Sequence, residues 1–154
     1  MSGFAWPARV YWEDTDGGGV VYYANYLRFL ERARTEWLRS LGFSQQALAQ
    51  DPGIVFTVMS LAINYRRPAR LDDVLRITCD FRAASAASMS FGQRIYREAS
   101  QSPGQHLDRE ASQAPAAADN LLAEADIRIA CVDAHTFRPT RIPAHLVSAL
   151  SGSK

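Results

Sequence analysis

Three carboxylates and three glycines fall within seven residues: Glu13, Asp14 and Asp16, then Gly17, Gly18 and Gly19. The run continues Val20-Val21-Tyr22-Tyr23-Ala24-Asn25-Tyr26. It reads as a strand ending in acids, a glycine turn, and the start of a helix. Glycine lets backbone approach a ligand closely, and the first N–H groups of a helix have no acceptor inside it. Those groups carry partial positive charge and suit an oxyanion. A carboxylate beside such a pocket has the parts needed to attack a carbonyl carbon. The competing reading of Asp16 is an ordinary turn residue, because Asp before Gly often bonds its own backbone.

Other chemistries are weakly represented. The glycine run lacks the Lys-Ser/Thr ending of a phosphate loop, and no Gly-x-Ser-x-Gly element supports a serine hydrolase. Cys79 and Cys131 lie far apart, with no His at ligand spacing, so a metal site is not expected and both read as small core residues. His106, His135 and His145 read as surface residues. Arg66, Arg67 and Arg70 flank Pro68 and form the best basic cluster, suited either to phosphates or to a solvated strand end.

These residues need a scaffold. The chain has 154 residues, 47% hydrophobic and 21% charged, with a formal net charge of +1. That suits one soluble domain and gives no footprint for nucleic acid or an anionic membrane. No apolar run reaches membrane-spanning length, no signal peptide is evident, and a cytoplasmic location is the expectation. Val10 to Trp12 read as the end of a first strand. Tyr26, Phe29, Leu30, Ala33, Trp37 and Leu41 then recur at helical spacing, with Gly42 as the stop. Leu27 and Leu38 widen the apolar arc, as expected of a helix wrapped by a curved sheet. Arg28, Arg32 and Arg39 take its wetter side. Ser44 caps a short second helix before Asp51-Pro52-Gly53.

The period then changes to two. Met59, Leu61, Ile63 and Tyr65 alternate with polar or small residues, as do Leu75 to Phe81, Met89 to Ile95 (less cleanly), and Ala125 to Cys131. This predicts antiparallel strands with one face on a core. Turns fall at 68–73 and 83–87. The stretch 99–120 is rich in Ala, Ser, Gln and Pro, and reads as a flexible insertion. A short terminal helix is expected over 144–150. The fold class is α+β: one long central helix and a curved antiparallel sheet whose edges invite pairing between subunits.

The run from Asp14 to Tyr26, followed by Phe29-Leu30-Glu31-Arg32-Ala33-Arg34, resembles hotdog-fold acyl-CoA thioesterases of the 4-hydroxybenzoyl-CoA thioesterase type. The branch associated with the Tol-Pal system of Gram-negative bacteria is the nearer likeness. Phe43 to Leu48, Tyr65, Pro68 to Asp73 and Cys131-Val132-Asp133 extend it over almost the whole chain outside the insertion. The resemblance implies a single hotdog domain over 1–154. It implies that Asp16 is the catalytic carboxylate, as nucleophile or general base. Tyr23 would supply the backbone N–H that polarises the thioester carbonyl, with Gly19 and Val20 beside it. Some members of the Tol-Pal branch carry His at the Tyr23 position; here the side chain is a phenol, and the N–H is kept. Arg66, Arg67 and Arg70 would meet the phosphates of coenzyme A. The implied substrate is acyl-CoA, with acyl carrier protein as an alternative donor. No cofactor is implied, and the implied assembly is a homodimer or a homotetramer built from dimers. Rival readings are a hotdog dehydratase and a non-catalytic thioester-binding scaffold of the cell envelope. Glu31 reads as an ion-pair residue, and Tyr22, Tyr23 and Tyr26 as acyl-pocket or core residues.

Overall fold

The computed structural model describes residues 3–99 and 120–152. The predicted insertion, with His106, falls almost wholly outside the described residues. The elements are β1 (Phe4–Arg9), α1 (Tyr26–Ser40), α2 (Gln45–Gln50), β2 (Ile54–Tyr65), β3 (Val74–Ala84), β4 (Ser88–Arg97), β5 (Leu121–Asp133) and α3 (Ala144–Gly152). The strands form one antiparallel sheet in the order β1-β3-β4-β5-β2. The predicted α+β architecture, a long helix against an antiparallel sheet, is the one found.

α1 buries Tyr26, Phe29, Leu30, Ala33, Trp37 and Leu38, while Arg28, Arg32 and Arg39 face solvent. Each fully buried Phe or Leu side chain contributes about 1.5–3 kcal/mol. Trp37 stacks on Phe81 at 6.0 Å between ring centroids and meets Phe91 edge-on at 5.0 Å. The helix ends in a Schellman motif: Gly42, at φ +95°, donates to the Arg39 carbonyl, and the Phe43 N–H donates to that of Leu38. Ser44 Oγ accepts from the Ala47 N–H and starts α2, as expected.

Two expectations need correction. Val10 to Trp12 do not end a strand: β1 stops at Arg9, and Trp12–Asp14 form a 3-10 turn. The chain therefore bends before the glycines. The alternating face of β2 is also not core. Met59, Leu61 and Tyr65 are 54%, 38% and 44% exposed, and Val58 is 53% exposed. β2 is an edge strand with a register shift between Val58 and Ser60, so its second half runs beyond the material that would cover it. Of the three tryptophans only Trp37 is buried; Trp6 is 39% and Trp12 80% exposed.

The uneven period of β4 has a specific cause. Gln93 takes the inward position between Phe91 and Ile95 and is 1% exposed. Its amide donates to the carbonyls of Leu30 (3.0 Å) and Thr78 (3.2 Å), and its oxygen accepts from Arg34 (3.0 Å). A buried amide without partners would cost several kcal/mol; fully bonded, it stitches α1 to the sheet. Cys79 and Cys131 are buried free thiols, and burial pushes Cys79 up to about 12.

Candidate active site

Residues 14–22 form a narrow hairpin. Thr15 bridges Val21, the Asp16 N–H donates to the Val20 carbonyl at 2.9 Å, and the Tyr22 N–H donates to that of Asp14 at 3.0 Å. Gly19 turns the chain at φ +79°, a conformation that costs any residue with a Cβ. At the tip, one Asp16 oxygen (Oδ1) accepts the Gly18 N–H at 2.8 Å, the self-bonding turn that the competing reading anticipates. The side chain is exposed, and its second oxygen takes no hydrogen bond among the described residues.

The hairpin leads into the helix. Tyr22 is extended; Tyr23–Asn25 make one 3-10 turn and α1 follows. Neither Tyr22 nor Asn25 caps this start with its side chain. Among the described residues the Tyr23 N–H has no protein acceptor. The helix start therefore keeps donors free, as an oxyanion site requires.

A second loop closes on the hairpin. The Val21 N–H donates to the Ala69 carbonyl at 2.8 Å, Val20 bridges Arg70, and the Leu71 N–H reaches the Gly19 carbonyl at 3.4 Å. Tyr26 anchors the same loop by accepting the Ala69 N–H at 2.9 Å, and burial raises its phenol above the usual value. The structure thus brings together Asp16, Gly19, Val20 and Arg70, with Tyr23 at the hairpin's exit. The basic cluster divides. Arg70 is exposed beside the hairpin, whereas Arg66 is ion-paired to Glu124 on β5, and that bond holds the Glu124 carboxyl below its usual value. The Arg66 and Arg67 N–H groups both point to the Leu122 carbonyl. Glu31 lies along the helix and accepts from Thr35, not Arg34. His135 and His145 are exposed, as expected.

Three groups escaped sequence reasoning. Asp14 is only 6% exposed and receives the Asn25 side-chain amide at 2.9 Å. Asn25 itself is 8% exposed. Tyr65, on β2, donates to the Tyr23 carbonyl at 2.7 Å. An Asn opening a helix is a weak signal of bonding, but nothing local predicts a partner eleven residues back.

Residues 10–150 match the Thioesterase-like superfamily. The chain belongs to this family. Acyl-CoA thioesterase YbgC of Haemophilus influenzae is 38% identical over 148 residues, covering 96% of this chain and 94% of that protein. Acyl-CoA thioester hydrolase YbgC of Escherichia coli O157:H7 is 41% identical over 145 residues, covering 94% and 93%. Among solved structures, a probable thioesterase from Bartonella henselae superposes with a TM-score of 0.75 at 32% identity, covering 92% of this chain and 100% of that one. The hotdog fold and thioester-hydrolase class of this thioesterase-family chain follow. No described helix is long and apolar enough to cross a membrane, and the described residues hold no cluster of three or more metal-ligating side chains.

Proposed function

We propose that this chain hydrolyses acyl-CoA thioesters to the free acid and coenzyme A, with Asp16 as the reacting carboxylate. The carrying observation is the hairpin that joins an exposed carboxylate, through glycines, to an uncapped helix start. The thioester oxygen sits on the Tyr23 N–H, over Gly19 and Val20. Asp16 either attacks the carbonyl carbon, giving an acyl anhydride that water cleaves, or takes a proton from the attacking water. Both routes expel CoA as a thiolate, a good leaving group that needs little general-acid help. Arg70 meets a CoA phosphate; Arg66 is the weaker candidate because Glu124 already holds it, and Arg67 stands beside it.

The motif between Asp14 and Arg34 favours the Tol-Pal-associated branch of the 4-hydroxybenzoyl-CoA type, with acyl carrier protein as a second donor and the cytoplasm as the place of work. The whole chain acts as one hotdog domain. Its assembly is a homodimer, or a homotetramer built from dimers, covering the apolar β2 edge. A CoA-release assay across short, long and aromatic acyl-CoAs tests the reading. Turnover of at least one, lost in Asp16→Asn, is expected. Binding without turnover would instead indicate a scaffold, and water addition to an enoyl thioester a hydratase.

A further inference from the structure

The acidic pair of the motif is split in burial: Asp16 is exposed and Asp14 is not. A buried carboxylate persists only when its oxygens are bonded. Asp14 uses both: Oδ1 accepts the Asn25 Nδ2–H at 2.9 Å and Oδ2 accepts the Tyr11 N–H at 2.8 Å. Its backbone carbonyl also takes the Tyr22 N–H at 3.0 Å. Asn25, from the other side, donates its own N–H to the Tyr22 carbonyl at 2.8 Å.

These bonds converge on one peptide. The Tyr22 carbonyl and the Tyr23 N–H belong to the same planar trans unit and point in opposite directions. Fixing the carbonyl on Asn25 therefore aims the N–H away from the helix. Fixing Asn25 on Asp14 sets where that carbonyl lies, and fixing the Tyr22 N–H on Asp14 sets the preceding residue. A side-chain cap on the helix start would have consumed its donors; here Asn25 bonds backward to Asp14 and leaves them open.

We propose that Asp14 and Asn25 form a buried clasp whose task is to position the Tyr23 N–H for the developing oxyanion. They are positioning residues and touch no substrate. The inference rests on the thioesterase reading of the site, since it assigns the N–H its work. A misaimed donor loses transition-state stabilisation while ground-state binding, which uses the rest of the substrate, is kept.

The test uses three variants of the full chain: Asn25→Ala, Asp14→Asn, and the double exchange Asp14→Asn with Asn25→Asp. The exchange keeps an amide-to-carboxylate bond with donor and acceptor reversed, and still offers Tyr11 an acceptor. Each single variant is expected to lower kcat by about 10–100-fold with KM nearly unchanged, and the double exchange to restore most of it. In the Asp16→Asn background, butyryl-CoA and benzoyl-CoA labelled with 13C at the carbonyl report polarisation by infrared spectroscopy. The bound carbonyl stretch should fall with the clasp intact and return toward the free value in Asn25→Ala. The Tyr23 amide cross-peak in 15N–1H spectra should move in both single variants and return in the exchange, whatever the turnover. Wild-type kcat in folded Asn25→Ala, or an unmoved Tyr23 amide, overturns the proposal. So does a kcat loss that follows melting temperature alone and is not restored by the exchange. If the wild-type chain releases CoA from no thioester, the functional reading fails separately, and the amide signal alone decides whether the clasp aims the N–H.

Discussion

Two aspartates each fold a turn onto themselves, at the two ends of β2. Asp133, which pairs with Ile54 at the start of that strand, accepts the N–H groups of His135 and Thr136 at 2.8 and 2.9 Å on one oxygen. Asp16 lies in the hairpin whose exit, Tyr23, is held by Tyr65 at the strand's other end. Twelve residues at about 3.3 Å each put these ends ~35 Å apart. The Asp133 turn carries His135, Thr136 and Phe137, with Phe137 forced to φ +59°. The Asp16 turn carries three glycines. One turn is built from residues with side chains around a half-buried, doubly bonded carboxylate; the other is built from glycines around an exposed, singly bonded one. A self-bonded Asp turn thus does not by itself bury its carboxylate. What differs is how many N–H groups the carboxylate holds, how exposed it is, and whether glycines or larger residues stand beside it.

The largest effect is expected at these two carboxylates. Asp16→Asn keeps size, turn and the bond to Gly18, and should cut kcat/KM by about 10³-fold or more with the melting temperature nearly unchanged. Asp133→Asn should leave turnover as it is. Comparable turnover in the two folded variants would erase the distinction between the turns.

The strand between them gives the next effect. Met59 is half exposed, so Met59→Arg should leave the single chain folded, while a subunit pairing over this face would have to bury an unpaired charge, at a cost of several kcal/mol. Light scattering should show a shift toward monomer, and turnover should fall with it. A variant that remains a dimer at micromolar concentration would move the interface elsewhere.

A pair of glycines sharpens the contrast between scaffold and site. Gly19 and Gly42 both sit at positive φ, +79° and +95°. Each Gly→Ala change carries a similar backbone penalty of about 1 kcal/mol, or ~2–4 °C in melting temperature. Only Gly19→Ala should also lower turnover, because only that turn carries Asp16. Equal turnover in the two would show that the hairpin tolerates displacement.

Much of this was legible because it is local. Helical spacing from Tyr26 to Leu41, the Gly42 stop, the Ser44 cap and the strand periods all depend on neighbours within a few residues. The order of acids, glycines and helix start along the chain is likewise local, and the structure keeps it. What escaped depends on partners far along the chain. Gln93 broke the β4 pattern, and its partners Leu30, Arg34 and Thr78 lie on other elements. The apolar alternation of β2 identifies a strand but not a core face, since periodicity tells which residues share a face but not what covers it. Asp14 looked like Asp16 in sequence; only the bend after β1 turns one inward and leaves the other out.

The smallest effect separates the two turns by pH. The N–H groups of Thr136 and His135 hold the Asp133 carboxyl below its ordinary value of about 3.9. A carboxyl depressed in the folded state binds its proton more readily when unfolded, so its contribution to stability is fully present above about pH 4. That contribution is lost as pH falls from the unfolded value through the folded one. Asp133→Asn removes the titrating group while keeping an acceptor for the same N–H groups. The gap in unfolding free energy between wild type and Asp133→Asn should therefore be constant from pH 5 to 7 and close as the pH drops below about 4. Urea melts at pH 7, 5, 4 and 3 measure it. A gap that persists unchanged at pH 3 would mean that the charge on Asp133 does not hold its turn, and that its two hydrogen bonds do no more than the one at Asp16.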